Sequence, residues 1–207
     1  MTDDTHIHPD RKFWDERYNS NSTVYGELPN AFFKQQLDLL TPGRILLPAD
    51  GEGRNSIYAA QKGWKVEAFD FSEAGRKKTL ARAEKLRLTV DYQIADFATV
   101  TLKQTFYDAI ALIFAHMNSR LRKEFHQKCI QALKPGGTLI FEAYTPRQLV
   151  LNSGGPKDPD YLCTPELLSE EFKGLHLKVN SIVETVLDEG PFHKGLASVV
   201  RLVGTRP

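Results

Sequence analysis

Apolar runs and helix-like segments alternate along the first 144 residues of this 207-residue chain. The run Ile45-Leu46-Leu47 is bounded by Gly43 and Pro48, as a buried strand is, and a helix is predicted from Asn55 until Gly63 stops it. Strands alternating with helices imply a doubly wound α/β fold, in which a parallel sheet has helices on both faces. Further strands are predicted at 64–69, 89–94, 107–114 and 138–144, and helices at 13–18, 31–40, 119–133 and from the N-cap Ser72 to Arg87.

The pattern changes in the last third of the chain. Thr164 and Pro165 cap and begin a helix, and two β-rich stretches follow at 175–186 and 196–203. The short connection Asp188-Glu189-Gly190-Pro191 makes these two stretches an antiparallel hairpin at one edge of the sheet. Before them, the segment 145–163 is rich in Pro, Gly and Asp, and its part 153–159 is predicted to be either a lid over a ligand or a surface loop.

A glycine-rich turn after Pro48 joins the first strand to the next helix. Backbone N–H groups at such a helix N-terminus suit a ligand that carries an adenosine and a charged tail. We expect one domain over 1–207, with 1–10 disordered and 11–42 forming a helical cap over the ligand site. Because ligands of such sheets bind at the carboxyl ends of the strands, the segments that matter are 48–53, 70–72, 95–97, 114–118 and 144–160.

The composition of the chain disfavours some classes of binding partner. The chain has 27 basic and 26 acidic residues, and a net charge of +1 disfavours a protein that binds nucleic acid through phosphate contacts. No apolar stretch reaches the ~18 residues of a membrane span and no signal segment is present, so we expect no membrane partner and a cytoplasmic location. Cys129 and Cys163 lack metal-binding or redox spacing, and His6 and His8 lack a third ligand, so no metal site is predicted.

The spacing of the glycines distinguishes two nucleotide ligands. A dinucleotide fingerprint, G-x-G-x-x-G, would begin at Gly51 and has Ser56 in place of its third glycine, whereas a G-x-G-x-G pattern would begin at Ala49. Asp70, at the end of the second strand, can accept the ribose hydroxyls of an adenosine. Asp96, after the third strand, is placed to meet the adenine amine. These positions favour S-adenosylmethionine over a nicotinamide dinucleotide.

Along most of its length the chain resembles the class I S-adenosylmethionine-dependent methyltransferases, in particular the small bacterial branch related to tellurite-resistance and thiopurine methyltransferases. The resemblance implies S-adenosylmethionine as the cofactor and a Rossmann-like, seven-stranded, mostly parallel sheet whose last strand is antiparallel. The segments that carry it are Phe13-Trp14-Asp15-Glu16-Arg17-Tyr18, Tyr25-Gly26-Glu27-Leu28-Pro29-Asn30, Gly51-Glu52-Gly53-Arg54-Asn55, Ala68-Phe69-Asp70-Phe71-Ser72 and the tight turn Lys134-Pro135-Gly136-Gly137 into the fifth strand.

Two positions depart from the pattern of this family. The acidic residue usual late in the first strand is replaced by Leu47, and the first glycine is replaced by Ala49. In the family that acidic residue helps to organise the methionine end of the cofactor, so we expect Asp50, or Arg17 and Tyr25, to take its place. The predicted cofactor-binding residues are Arg17, Tyr25, Ala49, Asp50, Gly51, Gly53, Asn55, Asp70, Phe71, Asp96, Phe97 and Phe114.

The methyl acceptor is expected beside the ends of the fourth and fifth strands. His116 is predicted to contact the acceptor or act as a catalytic base, although a histidine that only forms a hydrogen bond at a strand end fits equally well. Glu142 and Tyr144 share one face of the fifth strand, and Glu142 is either a catalytic carboxylate or a buried, paired one. His193 reaches the crevice only if the hairpin loop folds inward.

These patterns predict an enzyme, monomeric or homodimeric, that transfers a methyl group in line from S-adenosylmethionine to a small-molecule acceptor. No catalytic dyad is required, because alignment of acceptor, methyl group and sulfur alone can lower the activation barrier by roughly 7–11 kcal/mol. Two alternatives stay open. The irregular start Leu47-Pro48-Ala49 fits a protein that binds S-adenosylmethionine or S-adenosylhomocysteine without turnover, and an NAD(P)-dependent oxidoreductase is disfavoured by Ser56.

Overall fold

The computed structural model describes residues 11–19 and 23–207, so the disorder predicted for 1–10, and with it His6 and His8, lies outside the described residues. The helices are α1 (Arg11–Tyr18), α2 (Ala31–Leu37), α3 (Arg54–Gln61), α4 (Glu73–Lys85), α5 (Ser119–Ala132) and α6 (Pro165–Glu171). The strands are β1 (Arg44–Pro48), β2 (Lys65–Asp70), β3 (Val90–Ile94), β4 (Tyr107–Ile113), β5 (Leu133–Tyr144), β6 (His176–Asp188) and β7 (Lys194–Thr205). None of these helices has the length and apolar character that spanning a bilayer requires.

The strands of the described residues form a seven-stranded sheet in the order β3-β2-β1-β4-β5-β7-β6. Pairs among β1 to β5 are parallel, and β7 pairs antiparallel with both β5 and β6. The chain runs from β1 to β2 and β3 on one side and then crosses to β4 on the other, so the crevice between β1 and β4 is the topological switch point. The predicted fold class and the antiparallel C-terminal hairpin are confirmed.

Helices cover both faces of the sheet because alternate strand residues enter two different hydrophobic clusters. Leu46 of β1 belongs to the cluster that contains Phe125 of α5. Its neighbours Ile45 and Leu47 belong to the other cluster, which contains Ile57 of α3. A strand that is apolar on both faces is typical of the centre of a parallel sheet. Leu47, in the position of the family's acidic residue, is therefore a core residue.

Some predicted boundaries were wrong by a few residues. α2 ends at Leu37 rather than Leu40, because the N–H groups of Leu39 and Leu40 bond three residues back in tighter turns. β5 begins at Leu133 rather than at residue 138, since Leu133 already pairs with Tyr107 of β4. The predicted tight turn at 134–137 is an excursion within that strand, after which pairing resumes between residues 138 and 109.

Asn30 ties the segment before α2 to the end of the sheet. Its Oδ1 caps α2 by accepting the N–H of Phe33 at 2.8 Å, and its Nδ2 donates to Glu142 at 2.7 Å and to Glu189 at 2.9 Å. Its own N–H donates to Oδ1 of Asn55 at 3.0 Å. Buried polar groups need hydrogen-bond partners, and those of Asn30 lie on several elements. These hydrogen bonds therefore fix the N-terminal segment beside the carboxyl ends of the strands.

Candidate functional site

A cavity of about 1180 Å³ lies at the carboxyl ends of the strands, at the switch point between β1 and β4. Typical small-molecule pockets measure about 300–1,000 Å³, so this one has room for two ligands side by side. The predicted residues that line it are Arg17, Tyr25, Ala49, Asp50, Gly51, Asn55, Asp70, Phe71, Asp96, Phe97, Phe114 and His116. The structure thus brings together the predicted catalytic residue and every predicted cofactor-binding residue except Gly53.

The turn after β1 has a left-handed backbone at alternate residues, with φ of +52° at Ala49, +54° at Gly51 and +76° at Gly53. Glycine adopts this conformation freely, whereas an alanine there costs about 1–2 kcal/mol. Ala49 therefore keeps the backbone shape that its position requires, and the departure from glycine changes the energy of the turn rather than its course.

Gly53 is not brought to the cavity. It precedes α3, and a Cβ at this position would lie 2.2 Å from Cγ2 of Thr79 in α4. Gly53 thus allows α4 to pack closely against the turn. Its predicted contact with the cofactor has no geometric support.

Asp70 holds the glycine turn at the end of β2. Its Oδ2 accepts the N–H of Gly51 at 3.1 Å and its Oδ1 accepts the N–H of Ser72 at 2.9 Å. Burial raises the pKa of this carboxyl to about 6, although both hydrogen bonds favour the ionised form. Each carboxylate oxygen keeps a second lone pair, which a ligand hydroxyl can use.

Asp50 supplies a second carboxylate to the cavity, from the residue after Ala49. Its Oδ2 accepts hydrogen bonds from the N–H of Ser56, at 3.2 Å, and from the Ser56 hydroxyl. Burial raises the pKa of Asp50 to about 7, against these hydrogen bonds and the charge of Arg54. A cationic ligand group beside Asp50 would favour its ionised form.

The loop after β3 lines the cavity with Asp96 and Phe97. Oδ1 of Asp96 accepts the N–H of Ala98 at 2.7 Å, which fixes the loop. Phe97 packs edge-on against Phe69 of β2, with 5.6 Å between ring centroids. An aromatic ring beside a carboxylate is a suitable environment for a flat heterocycle with an exocyclic amine.

Arg17 connects α1 to the loop between β6 and β7. Its Nη1 donates to the hydroxyl of Tyr25 at 3.0 Å. Its guanidinium carbon also lies 4.3 Å from the ring centroid of Phe13 and 4.6 Å from that of Phe192, two partly exposed aromatics at the rim of the cavity. Such cation–π contacts help to hold these segments together.

Aromatic rings surround the part of the cavity that lies after β4. Phe114 has a φ of +51°, so a second strained non-glycine residue borders the cavity. Its ring lies 4.7 Å from the rings of both Tyr144 and His193. The rings of this half that line the cavity belong to Tyr25, Phe114, His116, Phe192 and His193.

His116 lies at the cavity, with its ring stacked on Tyr144 at a centroid distance of 5.7 Å. Its Nδ1 is buried without a hydrogen-bond partner in the described parts of the chain. Burial, and then the nearby His193, lower the pKa of His116 to about 3. The ring is therefore neutral at physiological pH, and its catalytic role stays a prediction.

His193 also lies at the cavity, because the loop between β6 and β7 folds inward. Gly190 in this loop has a φ of +88°, and a Cβ there would lie 2.5 Å from the carbonyl oxygen of Val24. The inward course thus depends on a glycine that packs against the segment before α2.

Glu189, which the sequence predicts only as part of a turn, contacts His193. Its Oε2 lies 3.4 Å from Nδ1 of His193 and 2.8 Å from Nη2 of Arg54. Burial would raise the pKa of Glu189, but the hydrogen bond from His193 and the charge of Arg54 lower it to about 2. The partners Arg54 and Glu189 are 135 residues apart, so no local pattern indicated their contact.

Glu142 fits the buried, paired alternative. It is fully buried, and its carboxylate accepts hydrogen bonds from Nε of Arg201 at 2.5 Å and from Asn30 at 2.7 Å. Its carboxylate is thereby committed to partners within the protein.

The segment predicted to be a lid borders the cavity through residues 154–158. Gln148 fixes the start of this segment, since its Nε2 donates to the hydroxyl of Ser153 at 2.8 Å and to the carbonyl of Gly154 at 3.0 Å. The segment therefore borders the cavity, and its role as a lid stays a prediction.

Residues 45–137 match the family model described as "Methyltransferase domain". The match includes β1, the glycine turn, Asp70 and Asp96, which together form one half of the cavity. The match bears out the resemblance to the class I methyltransferases that the sequence motifs indicate. Among proteins of curated function, none matches the sequence.

Solved structures agree with this fold. TehB from Haemophilus influenzae has a TM-score of 0.73 and 16% sequence identity, over 95% of this chain and 67% of that chain. An S-adenosylmethionine-dependent methyltransferase from Clostridium acetobutylicum has a TM-score of 0.64 and 14% identity, over 84% of this chain and 87% of that one. The [4+2]-cyclase SpnF has a TM-score of 0.65 and 15% identity, over 90% and 87% of the two chains. Identities this low show a shared fold and leave the reaction open.

Ala49→Gly removes the strain of a left-handed alanine, and we expect it to raise the free energy of unfolding by about 1 kcal/mol. Denaturant unfolding measures the change. The control is Ala81→Gly on the exposed face of α4, which should lower the free energy of unfolding by about 0.5–1 kcal/mol. Equal destabilisation by both changes would contradict the strain at Ala49.

Gly53→Ala places a Cβ against Thr79, and we expect it to lower the free energy of unfolding by about 2–4 kcal/mol. Gly63→Ala is the matched control, because Gly63 has a φ of +84° but no atom within 4 Å of the added Cβ. That variant should lose only about 1–2 kcal/mol. A Gly53→Ala protein with normal stability and lost cofactor affinity would instead place Gly53 in the cofactor site.

Proposed function

We propose that this protein is a methyltransferase that transfers a methyl group from S-adenosylmethionine to a small, uncharged acceptor with an aromatic or otherwise apolar body. The observation that carries the proposal is the division of the cavity into two halves. The half beside β1 to β3 is lined by Asp50, Asp70 and Asp96, and the half beside β4 and the hairpin loop is lined by aromatic rings.

The residues of the first half fit S-adenosylmethionine. Asp70 would accept the ribose hydroxyls, Asp96 and Phe97 would hold the adenine, and Asp50 would face the positively charged methionine end. The raised pKa values of Asp50 and Asp70 support this assignment, because both carboxylates are buried and stand to gain from a cationic ligand. The bound cofactor would supply a methyl group on a positively charged sulfur.

The second half favours an uncharged acceptor. Its buried ion pair is already complete, since Arg54 lies 2.8 Å from Glu189. Arg17 is engaged with the hydroxyl of Tyr25 and with the faces of aromatic rings. Away from Lys157 and Asp158 at the border of the cavity, a further charge among these rings would be costly to desolvate, whereas an aromatic acceptor could stack on the rings.

The contribution of the protein to the reaction is chiefly alignment. The segment 154–158 and the hairpin loop border the acceptor half, where they can hold an acceptor beside the cofactor. Holding two reactants in line can lower the activation barrier by roughly 7–11 kcal/mol. An acceptor that is protonated at physiological pH also needs a base, and the histidines of this half are its candidates.

A second candidate function keeps the cofactor site without methyl transfer. Leu47 and Ala49 depart from the family pattern, and SpnF, a protein of the same fold, is described as a cyclase. The chain would then bind S-adenosylmethionine or S-adenosylhomocysteine without turnover. Methyl transfer to any member of a panel of phenols, thiols and amines, followed by mass spectrometry, would exclude this alternative.

Calorimetric titration tests the cofactor assignment. We expect S-adenosylmethionine to bind with a Kd below about 1 mM, and Asp70→Asn to weaken binding by about tenfold or more through loss of a charge-assisted hydrogen bond. Asp91→Asn, on the exposed side of β3, is the control and should leave the affinity unchanged. Binding of NAD(P) without binding of S-adenosylmethionine would overturn the proposal.

Cofactor affinity should rise as the pH increases from about 5 to 8. Burial raises the pKa of Asp50 to about 7 and that of Asp70 to about 6, so both carboxyls are largely protonated at pH 5 in the free protein. A bound cation favours their ionised forms, and binding at low pH must therefore release protons.

We expect a gain in affinity of about tenfold or more over this pH range. Asp50→Asn should remove the part of this gain that occurs at the upper end of the range, where Asp50 loses its proton. Calorimetry in two buffers of different ionisation enthalpy measures the released protons. Affinity that does not change with pH, with no proton release, would contradict the assignment.

A further inference from the structure

Two histidines, His116 and His193, face the acceptor half of the cavity in different surroundings. Nδ1 of His116 has no hydrogen-bond partner in residues 11–19 and 23–207. Nδ1 of His193 lies 3.4 Å from the carboxylate of Glu189. Of the two, only His193 thus has a neighbouring carboxylate that can stabilise a protonated imidazole ring.

We infer that His193 is the catalytic base that takes the proton of the acceptor, and that Glu189 is the residue that positions it. The inference rests on the proposed function, because it assigns a role within the same site. When the Glu189 carboxylate accepts the Nδ1–H, the lone pair of the ring is at Nε2. Since Nδ1 faces Glu189, Nε2 is the ring nitrogen that remains for the acceptor.

The position of Glu189 is itself determined by partners on other elements. Arg54, at the start of α3, donates to its Oε2 at 2.8 Å, and Asn30 donates to its Oε1 at 2.9 Å. Both partners are buried, so they have one fixed arrangement. An ionised carboxylate held from two sides orients a histidine more firmly than a solvent-exposed one would.

The ring of His193 is packed on several sides. Its centroid lies 4.5 Å from that of Tyr25 and 4.7 Å from that of Phe114. A Cβ on Gly154 would lie 3.2 Å from Cδ2 of His193, so the segment 154–158 also closes against the ring. A base held in one orientation meets the first requirement of proton transfer, which is geometric.

The groups around His193 keep it neutral before the reaction. Burial lowers the pKa of His193 and the charges of Arg54 and Arg17 act in the same direction, while Glu189 opposes them. A neutral imidazole can accept a proton at physiological pH. The titratable and charged groups that face it are Glu189 in its own loop, Arg54 of α3, Arg17 of α1, Tyr25 before α2, His116 after β4 and Tyr144 of β5.

The step balances in atoms and charge. The acceptor X–H gives its proton to Nε2 of His193 while X forms a bond to the methyl carbon. The electron pair of the broken carbon–sulfur bond stays on sulfur, which leaves as a neutral thioether. The positive charge lost from sulfur appears on the imidazole of His193, beside Glu189. This chemistry selects an acceptor that is protonated at physiological pH, of which phenols are the class that also fits the aromatic walls.

The first experiment needs neither cofactor nor acceptor. Nitrogen-15 NMR of labelled histidine in the wild-type protein should show His193 as the Nδ1–H tautomer. The His193 signal is the one that is lost in His193→Gln. The control is His176→Gln, at the exposed start of β6, which should leave that signal in place. Glu189→Gln should lower the pKa measured for His193, because its carboxylate favours the protonated ring. An Nε2–H tautomer in the wild-type protein would overturn the inference, even if Glu189→Gln fails to fold.

The second experiment uses 4-nitrophenol, which is yellow only as its phenolate. We expect the bound probe to turn yellow at a lower pH in the wild-type protein and in the control His176→Gln than in His193→Gln, since only the first two have His193 to accept its proton. The same apparent pKa of the bound probe in wild type and His193→Gln would overturn the inference.

Kinetics with a phenol from the acceptor panel provide the third readout. His193→Gln should lower kcat by about 10²–10⁴-fold, the usual contribution of a general base, with little change in KM. His116→Gln should act mainly on KM, and a larger loss of kcat in His116→Gln would contradict the assignment. If no member of the acceptor panel is methylated, the proposed function fails, whereas the tautomer and the probe still decide whether His193 accepts protons.

Discussion

The largely buried carboxylate of Glu189 is the group on which the acceptor half of the cavity depends. A charge removed from water must be paired. Two partners of Glu189 come from distant parts of the chain, since Arg54 begins α3 and Asn30 precedes α2. The third partner, His193, lies four residues further on. Loss of one member of a buried pair typically costs about 3–5 kcal/mol, so these elements are fixed relative to one another. That constraint explains why the loop between β6 and β7 folds inward over the sheet.

Burial has opposite consequences in the two halves of the cavity because the partners differ. Burial raises the pKa of Asp50 to about 7 and that of Asp70 to about 6, since their hydrogen bonds do not offset the lost solvation. Glu189 is also buried, but His193 and Arg54 bring its pKa down to about 2. The first half therefore gains from a cationic ligand, whereas the second half has already neutralised its own charge.

Most of the fold and the first half of the site could be predicted from local patterns. Strand and helix periodicities are local, and parallel strands necessarily bring their carboxyl ends to one edge, so Asp70 and Asp96 were placed correctly beside the cavity. Gly53 shows the limit of this reasoning, since a glycine required for a turn and one required for a ligand look alike in sequence. The position of Thr79 against Gly53 accounts for a glycine in the packing of α4, and the contact of Gly53 with the cofactor stays a prediction.

The acceptor half could be predicted only in part. His116 and the segment 153–159 were expected beside the cavity, whereas the contacts of Glu189 with Arg54 and Asn30 have no local pattern. Apart from Phe114 and His116, the residues of this half come from Tyr25, the segment 154–158 and the loop with Glu189 and His193, outside residues 45–137 that match the methyltransferase domain. The matched residues supply the glycine turn and the aspartates, which any acceptor would need equally. Because most of the residues around this half lie outside the matched domain, the match itself does not determine the acceptor. Here those residues are joined by one largely buried carboxylate, so the choice of acceptor and the stability of the cap depend on the same residues.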